Sequence, residues 1–537
     1  MPLQEPDQRV FEYKMPIGGV NMSVGRLGIQ EEQALEMKNL FARGGIKKRD
    51  GFDKRVSTAV QAGSNKITML HRFYRQDGTS QLLAGGGTVY ARQTTTTWTD
   101  IATGKSDDVP VKTETWGALD KVYFADRVLA GATWDGSSFV ASITGLSGIV
   151  PTQFLAYQDR LLMISITEPG ALRWSDSFDD TNWVSAAATG VRPDSILHGM
   201  IVHSSSFGQE QGQNAQVLLA GSHGMYLFSG TNLSLTFSNY TIQSLATRVG
   251  CNSPKTMAWT PMGTVYLGTD LQVYLLPFDS IVPIPIGDNI RSHIKGFAGL
   301  ESIGAGDIDL ARAVYQDGFY KLSITLAPST FNNRQWWLDI SESFRRTVST
   351  SVANRALSVG WFGPMIGMNF SEMISMPGAG DKGEFIAGEG DVTVGAFVYD
   401  SSSSKDNDDG TSIAYRWRSF FNPLSNPYLN SNCHHMEIEF LNTNQSISFT
   451  FQDSNQKNAL GSVLFSTTGT GSIYGTVNYG SANYGGVSQS RQRLSISPPI
   501  NLRFIGIVMF GDSSVDLEVY AIRMEEMEQS GVFEDNV

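Results

Sequence analysis

The chain has 537 residues, of which 41% are hydrophobic and 17% charged, and its formal net charge is −12. That balance excludes a disordered chain, and the acidic surplus disfavours nucleic-acid binding, which draws its affinity from Lys and Arg. Fifty-five glycines and 11% aromatic residues point to strands joined by many turns, in two to four domains or one large all-β domain with attachments.

The opening "MPLQEPDQRVFEYKMPIGG" lacks an apolar core and a small-residue cleavage site, so it does not read as a signal peptide. No run of about 18 apolar residues occurs, so no membrane-spanning segment is expected and the chain reads as a soluble protein folded in the cytoplasm. Helical character appears next, in "GIQEEQALEMKNLFARGG". Glu31 and Glu32 stand in the first turn, Arg43 in the last, and Gly44 and Gly45 offer a stop. Ala34, Leu35, Met37, Leu40 and Phe41 make a partial apolar stripe, so a short helix is predicted. A basic run follows, Lys47, Lys48 and Arg49, met at once by Asp50 and Asp53.

Strand signals then come in units. "KITMLHRFYRQDGTSQLLAGGGTVYAR" reads as strand, Asp-Gly turn, strand, Gly-rich turn, strand. "GALDKVYFADRVLAGATWDGSSF", "TQFLAYQDRLLMISITEPGALRWSDSFDDTNW", "AQVLLAGSHGMYLFSGTN" and "TMAWTPMGTVYLGTDLQVYLLP" repeat the grammar. "DLARAVYQDGFYKLSITL", continued by "QWWLDI" and "SVGWFGPM", is a sixth unit; "EFIAGEGDVTVGAFVYD" is a seventh or closes the sixth. The units begin roughly 40 to 75 residues apart, near the spacing of four-stranded propeller blades. The prediction is a mainly β chain with a β-propeller of about six or seven blades over residues 65–400, between an N-terminal segment (1–64) and a C-terminal domain (401–537). A pair of β-sandwiches is the competing arrangement.

"SSSSKDNDDG", Ser401 to Gly410, is polar and charge-dense and reads as a linker or exposed loop. Beyond it, "HHMEIEFLNTNQSISFTFQD" and "INLRFIGIVMFGDSSVDLEVYAIRMEEM" alternate as half-buried antiparallel strands do. Between them "STTGTGSIYGTVNYGSANYGGVSQS" is rich in Gly, Ser and Tyr, and reads as an extended hairpin or surface loop carrying Tyr474, Tyr479 and Tyr484.

Motifs of catalysis are missing from the sequence. The seven histidines (His71, His198, His203, His223, His293, His434, His435) form no H-E-x-x-H and no Cys/His cluster. "KDNDDG" lacks the downstream bidentate Glu of a calcium loop and reads as a solvated turn. Cys251 and Cys433 read as reduced and structural. "SFDDTNW", Ser177 to Trp183, resembles the Asp-box turn of sialidase-type propellers, with Thr181 where that motif has Gly; it is a folding motif. Asp179 and Asp180 are turn formers before they are an acid and a base. No P-loop and no G-x-S-x-G elbow occurs. No enzyme and no cofactor is predicted.

Several phrases together resemble the tail nozzle (tail tubular or hub) proteins of short-tailed bacteriophages. "PIGGVNMSVGRLGIQEEQALEMKNLFARGGIKKRDGFDKRV" looks like the opening of that family, with a Gly-Gly-x-Asn start and a helix bearing "xxNLxxxxGxIxKRxGF". "FLAYQDRLLMISITEPGALRWSDSFDDTNW" is similar to its "RL" strand followed by W-S and W. "GSHGMYLFSG" with "GCNSPKTMAWTPMGTVYLGTD" resembles its GC-x-SP stretch, and "RQWWLDI" and "WFGP" fit a later blade. The resemblance spans roughly Pro16 to Pro364.

The resemblance implies a virion structural protein, located in the phage tail and assembled in the host cytoplasm. Its N- and C-terminal segments would form a platform on the head-to-tail adaptor, with one propeller per subunit. Six copies would surround a channel that retains packaged double-stranded DNA and conducts it during ejection, with tail fibres or spikes as further partners. An acidic wall suits a conduit, since it avoids the phosphate attraction that would stall the duplex. On this reading Lys47, Lys48 and Arg49 meet an acidic neighbour, the adaptor or the next subunit. Tyr474, Tyr479 and Tyr484, or the polar stretch from His203 to Asn214, are the candidates for a channel loop. The alternative is a propeller-based tail enzyme or glycan-binding module acting on host polysaccharide. Trp98, Trp134, Trp174 and Trp183 would then stack on sugars, against their ordinary role as core plugs.

Overall fold

The computed structural model describes residues 8–23, 28–107, 109–184, 195–204, 216–231, 233, 239–278, 280–295, 303, 308–340, 360–376, 384–401, 405–421, 431–441, 446–453, 459–466, 489–502 and 505–528. The chain divides into two compact units: one of Met1–Phe52, Thr350–Ile366 and Ser403–Val537, the other of Asp53–Ser349 and Gly367–Ser402. The two chain ends therefore share a unit, and the long middle forms the other.

The middle unit is a β-propeller. Among the described residues it holds seven antiparallel sheets in chain order. Their first strands are Ile67–Tyr74, Lys112–Trp116, Pro151–Tyr157, Leu197–His203, Ala258–Thr260, Arg312–Gln316 and Phe370–Met376. Each first strand packs on the first strand of the next sheet, and the seventh packs on the first, which closes the ring. Phe52–Lys54, where the chain enters this unit, is the outermost strand of the seventh sheet, so the blade is completed by residues from both ends of the propeller sequence.

The local sequence explains the blades. Second strands such as Arg160–Ser165, Gly263–Leu267 and Phe319–Ile324 are buried along their whole length. Sheets cover both of their faces, so they read as continuous apolar runs and not as alternating ones. Hairpin turns carry the residues that tolerate left-handed backbone: Asp317 and Gly318, at φ 52° and 81°, join Gln316 to Phe319. The core is a succession of blade-to-blade clusters. Met69 and Phe73 meet Val122 and Phe124 between blades one and two, and Leu162 and Trp174 meet Val217 and Phe228 between blades three and four. Ile67 and Ala84 meet Ile386 and Val398 across the closure.

Among the described residues, the unit of the chain ends is one eleven-stranded antiparallel sheet. Its path runs Ala34–Lys38, Ile413–Ser419, Ile505–Ser513, Ser446–Asp453, Ala459–Ser466, Gln489–Leu502, Ser431–Leu441, Glu518–Glu528, Ile46–Lys48, Leu40–Ala42, with Gln8–Tyr13 also on Glu518–Glu528. Alternation holds in its strands: Ile447, Phe449 and Phe451 are buried, and Ser448 and Thr450 between them are partly exposed.

The predicted N-terminal helix is absent. Its residues form the strands Ala34–Lys38 and Leu40–Ala42, broken at Asn39, whose φ is +54°. Ala34 lies opposite Ser419 and Lys38 opposite Arg416, with a bulge between Ala34 and Glu36. That bulge spoils strict alternation, so the apolar spacing imitates a helical stripe. A partner strand far along the chain overrides the local helix preference of Ala, Leu, Glu and Met. The described α-helix lies elsewhere, at Asp288–Lys295.

Candidate functional site

The basic run turns inward. Ile46–Lys48 is a strand with Lys48 buried, and Arg49 behind it is only 1% exposed. Gly51 allows the next step, because a Cβ there would lie 1.9 Å from the Asn407 carbonyl oxygen. The "KDNDDG" stretch is thereby brought against "KKRD". Arg49 Nη1 donates to Asp408 Oδ1 at 2.8 Å and Nη2 to Asp408 Oδ2, a bidentate pair across 359 residues. Its Nε donates to Asn39 Oδ1 at 3.1 Å and its Nη2 to the Ile366 carbonyl at 2.8 Å. Lys48 donates to the carbonyls of Asp406 and Ser513, and burial pulls its pKa below the ordinary value. Burial, together with Asp406, pushes the Asp516 carboxyl up to about 6.

This corrects two expectations. Lys48 and Arg49 meet their acidic neighbour within the unit, so they are internal pins and present no docking surface. "KDNDDG" is a turn exposed at Asp409 and Gly410, but not a purely solvated one, since Asp408 is the counter-ion of a fully buried guanidinium. Charge complementarity between the two most charge-dense stretches is the sequence signal that would have paired them. Lys47 differs: its ammonium lies 2.8 Å from Glu518 Oε1 and stays partly exposed. Tyr474, Tyr479 and Tyr484 lie outside the described residues, as does the His203–Asn214 stretch beyond Ser204.

In the propeller, the residues proposed for sugar chemistry are occupied structurally. Asp179 Oδ1 accepts from the Thr181 amide at 2.8 Å and from its hydroxyl at 2.6 Å. Asp77 with Thr79, Asp135 with Ser137 and Asp391 with Thr393 repeat this closure, a turn recurring around the ring. Asp180 is buried and accepts from Lys121 Nζ and Tyr123 Oη, each at 2.8 Å, which ties blade three to blade two. Arg160 is buried against the Ser175 carbonyl and Asp176. Trp134 and Trp174 are core residues, and the Trp183 indole donates to the Asp180 carbonyl at 2.9 Å. Among the described residues, no group of three or more His, Cys, Asp or Glu could hold a metal ion.

Sequence reasoning missed a cluster at the propeller axis. The first six blades are four-stranded meanders, and Phe52–Lys54, the outer strand of the seventh, leads into the first, so the chain returns to the same face before each new first strand and the starts of those strands surround one mouth of the ring. Lys112, at one start, donates to Gln153 Oε1 at 3.0 Å and to the His198 carbonyl at 2.7 Å. Arg127 donates to that same carbonyl at 3.2 Å. Arg312, at another start, donates from Nε to Glu372 Oε1 at 3.2 Å, and Lys255 donates to the same oxygen and to the Val111 carbonyl. Burial, with Arg127, Lys255 and Arg312 beside it, holds Lys112 well below its ordinary range, and burial brings Lys255 down to about 8. These residues lie far apart in an acidic chain, so no basic run announces them.

The fold defines the chain as a seven-bladed propeller inserted between the halves of an end-to-end sheet. No protein-family model matches the sequence, and no curated protein does. Among solved structures, the WD40 propeller domain of Doa1 is similar over 66% of this chain and 97% of its own, at 9% identity and a TM-score of 0.38. BamB from Moraxella catarrhalis is similar over 68% and 96%, at 10% identity and 0.35. The computationally designed Ika8 protein is similar over 71% and 100%, at 7% and 0.35. The propeller assignment stands on the sheet order and the closed ring of first strands, not on these low scores.

Proposed function

We propose that the chain is a structural protein of a bacteriophage tail, a nozzle subunit that forms a hexameric ring below the head-to-tail adaptor. The observation that carries this reading is the union of the chain ends in one eleven-stranded sheet, with the propeller inserted between them. A platform of N- and C-terminal segments bearing one propeller is what the resemblance of the opening residues implies. The net charge of −12 supports a conduit that retains packaged double-stranded DNA and conducts it without gripping it. The role is non-enzymatic: Asp179, Asp180 and Arg160 are engaged in turns and blade contacts. The subunit resides in the virion tail after assembly in the host cytoplasm, and fibres or spikes complete its set of partners.

Sedimentation and negative-stain electron microscopy of the purified chain test this. A closed six-fold ring with an axial channel, placed by gold labelling at the tail of virions, is the expected result. A monomer that cleaves or binds host polysaccharide overturns it.

A further inference from the structure

The face of the propeller opposite the mouth carries a large aromatic side chain on a costly turn. In blade three the turns Gln158-Asp159 and Ser177-Phe178 each follow an odd-numbered strand, so both lie on that far face. They are locked together. The Phe178 amide donates to the Asp159 carbonyl at 2.9 Å, the Ser177 hydroxyl donates to Asp159 Oδ2, and Asp176 Oδ1 accepts from the Ser177 amide at 2.8 Å. Phe178 stands at φ 52°, a backbone that glycine adopts freely and a bulky residue rarely does. Its side chain is nonetheless 61% exposed. A lone exposed apolar residue needs no explanation; one held on a braced, unfavourable turn does.

The mouth face carries a complement. Between blades one and two an open groove of about 260 Å³ is lined by Tyr90, Phe124, Leu129, Ala132, Ala141 and Lys105 among others. These residues follow even-numbered strands or stand at the mouth end of their own. Leu129 is partly exposed, and Val128 and Val140, each next in sequence to a lining residue, are half exposed, so the apolar surface extends beyond the groove. The Lys105 ammonium lies 4.6 Å from the Phe139 ring centroid and 5.9 Å from that of Tyr90, and meets no carboxylate among the described residues. Asp126, the acid of the groove, turns Oδ1 to the amides of Val128 and Leu129 at 2.9 and 2.7 Å, which fixes the Leu129 turn. Phe178, for its part, is flanked by Asp159, Asp176 and Asp179, of which the first two share the Arg160 guanidinium.

We propose that Phe178 of one copy seats in this groove of the next copy, with Lys105 facing the carboxylates beside it. The groove has room: an apolar cavity of about 150 Å³ already takes benzene. Knob and groove lie on faces that point apart, so one pair of copies cannot make the contact twice. It is therefore heterologous, and it repeats head to tail until it closes as a ring or runs on as a filament. The inference rests on the ring reading given above and names the residues that would join neighbouring propellers in it.

Cross-linking of the full chain tests the contact. Chains carrying Phe178→Cys and chains carrying Leu129→Cys are oxidised separately and as a mixture; Cys251 and Cys433 are buried and keep the background low. The expected result is disulfide-linked dimers in the mixture and none in either variant alone. Phe178→Asn suits the turn better than the parent residue, so its melting temperature should hold or rise, while self-association measured by sedimentation weakens about tenfold, as for an anchoring aromatic. Six-fold rings that persist in Phe178→Asn, with no cross-link in the mixture, overturn this contact and leave the ring reading standing. Cross-linked head-to-tail chains that never close support the contact and sink the ring. A parent chain that stays monomeric overturns both. Capture of Phe178→Cys by a different virion protein, in place of a second copy, overturns the contact alone.

Discussion

The two units of this chain are built on opposite principles. Six of the seven blades are each assembled from strands that follow one another in sequence, joined by turns such as Asp317-Gly318, and are complete within about fifty residues; the seventh alone borrows its outer strand, Phe52–Lys54, from the start of the propeller sequence. The eleven-stranded sheet joins residues from the two ends: Tyr13 Oη donates to the Ile505 carbonyl across 492 positions, and Lys47 meets Glu518 across 471. Local contacts form early and distant ones require the loop between them to close first. The propeller can therefore nucleate blade by blade, whereas the sheet waits for the last residues of the chain. Mutations that strike each unit's characteristic contact should separate these behaviours.

The largest effect is expected at Arg49. Arg49→Met leaves the Asp408 carboxylate and Asn39 Oδ1 facing an apolar side chain in a buried place, and removing one partner of a buried pair costs about 3–5 kcal/mol. The end-to-end sheet should lose that much in urea denaturation, while the transition of the propeller stays where it was. One common transition moving as a whole would show that the two units do not unfold separately. Coupling Arg49→Met with Asp408→Leu should recover much of the loss, because two apolar partners leave no charge stranded.

The same contrast decides what was legible in the sequence. Six blades stand where the repeated grammar of strand, Gly or Asp-Gly turn and strand placed them, since those signals are local; "EFIAGEGDVTVGAFVYD", which read as a seventh unit or the close of the sixth, belongs to a seventh sheet whose outer strand, Phe52–Lys54, lay outside the expected propeller bounds. The alternating C-terminal strands were legible for the same reason. The segment around Met37 was misread as a helix because its state is set by Ile413–Ser419, a strand far along the chain that no local window contains. The roles of Lys48 and Arg49 were hidden likewise: a basic run looks like surface until Asp408 is known to lie against it. The axial cations are legible only once the ring is closed, because each comes from a different blade or loop.

Titration should distinguish the propeller next. Burial raises the Glu389 carboxyl to about 7, above its ordinary 4.5, although the Gly390 and Asp391 amides and the Tyr399 hydroxyl oppose the shift. With the folded value the higher one, the native state holds more protons than the unfolded chain between those limits. Stability on this account is full below pH 4.5 and falls as pH rises through 7. Glu114, raised to about 7 by burial, adds in the same direction. The loss assigned to Glu389 is about 1–3 kcal/mol. Urea midpoints at pH 5 and pH 8 should converge in Glu389→Gln relative to the parent chain, and equal slopes in both proteins would sink the assignment.

A smaller effect belongs to the recurring turn. Asp135 Oδ1 accepts from the Ser137 amide at 2.8 Å and the Ser138 amide at 2.6 Å, closing the turn within its own blade. These bonds draw its pKa down against the opposing effect of burial. Asp135→Ala should cost about 1 kcal/mol, and Asp135→Asn should keep most of it, since the amide oxygen accepts the same bonds. Its contribution is present above the unfolded carboxylate range and lost as pH falls through the depressed folded value, the reverse of Glu389. A loss much above this in thermal melts would mean that the turn supports a neighbouring blade as well as its own.

The smallest effect sharpens the comparison most. Lys47–Glu518 closes the sheet over 471 residues, and Arg173–Glu168 spans five residues of blade three, with both guanidinium contacts at 2.6 Å. Partly exposed pairs contribute about 0–1 kcal/mol wherever their partners lie in sequence. Lys47→Ala and Arg173→Ala should therefore change stability by similarly small amounts, although their contacts differ enormously in range. If Lys47→Ala instead approaches the cost of Arg49→Met, the pair is part of the buried network and the two basic neighbours act as one. Lys47 also carries what is left of the docking reading, because its side chain reaches the surface while Lys48 and Arg49 do not. Lys47→Gln, which removes the charge without setting a second carboxylate opposite Glu518, should leave the melting curve nearly unchanged and reduce the fraction of chains sedimenting as rings. An unaltered ring fraction would move the subunit contact away from this strand and leave the whole basic run to folding.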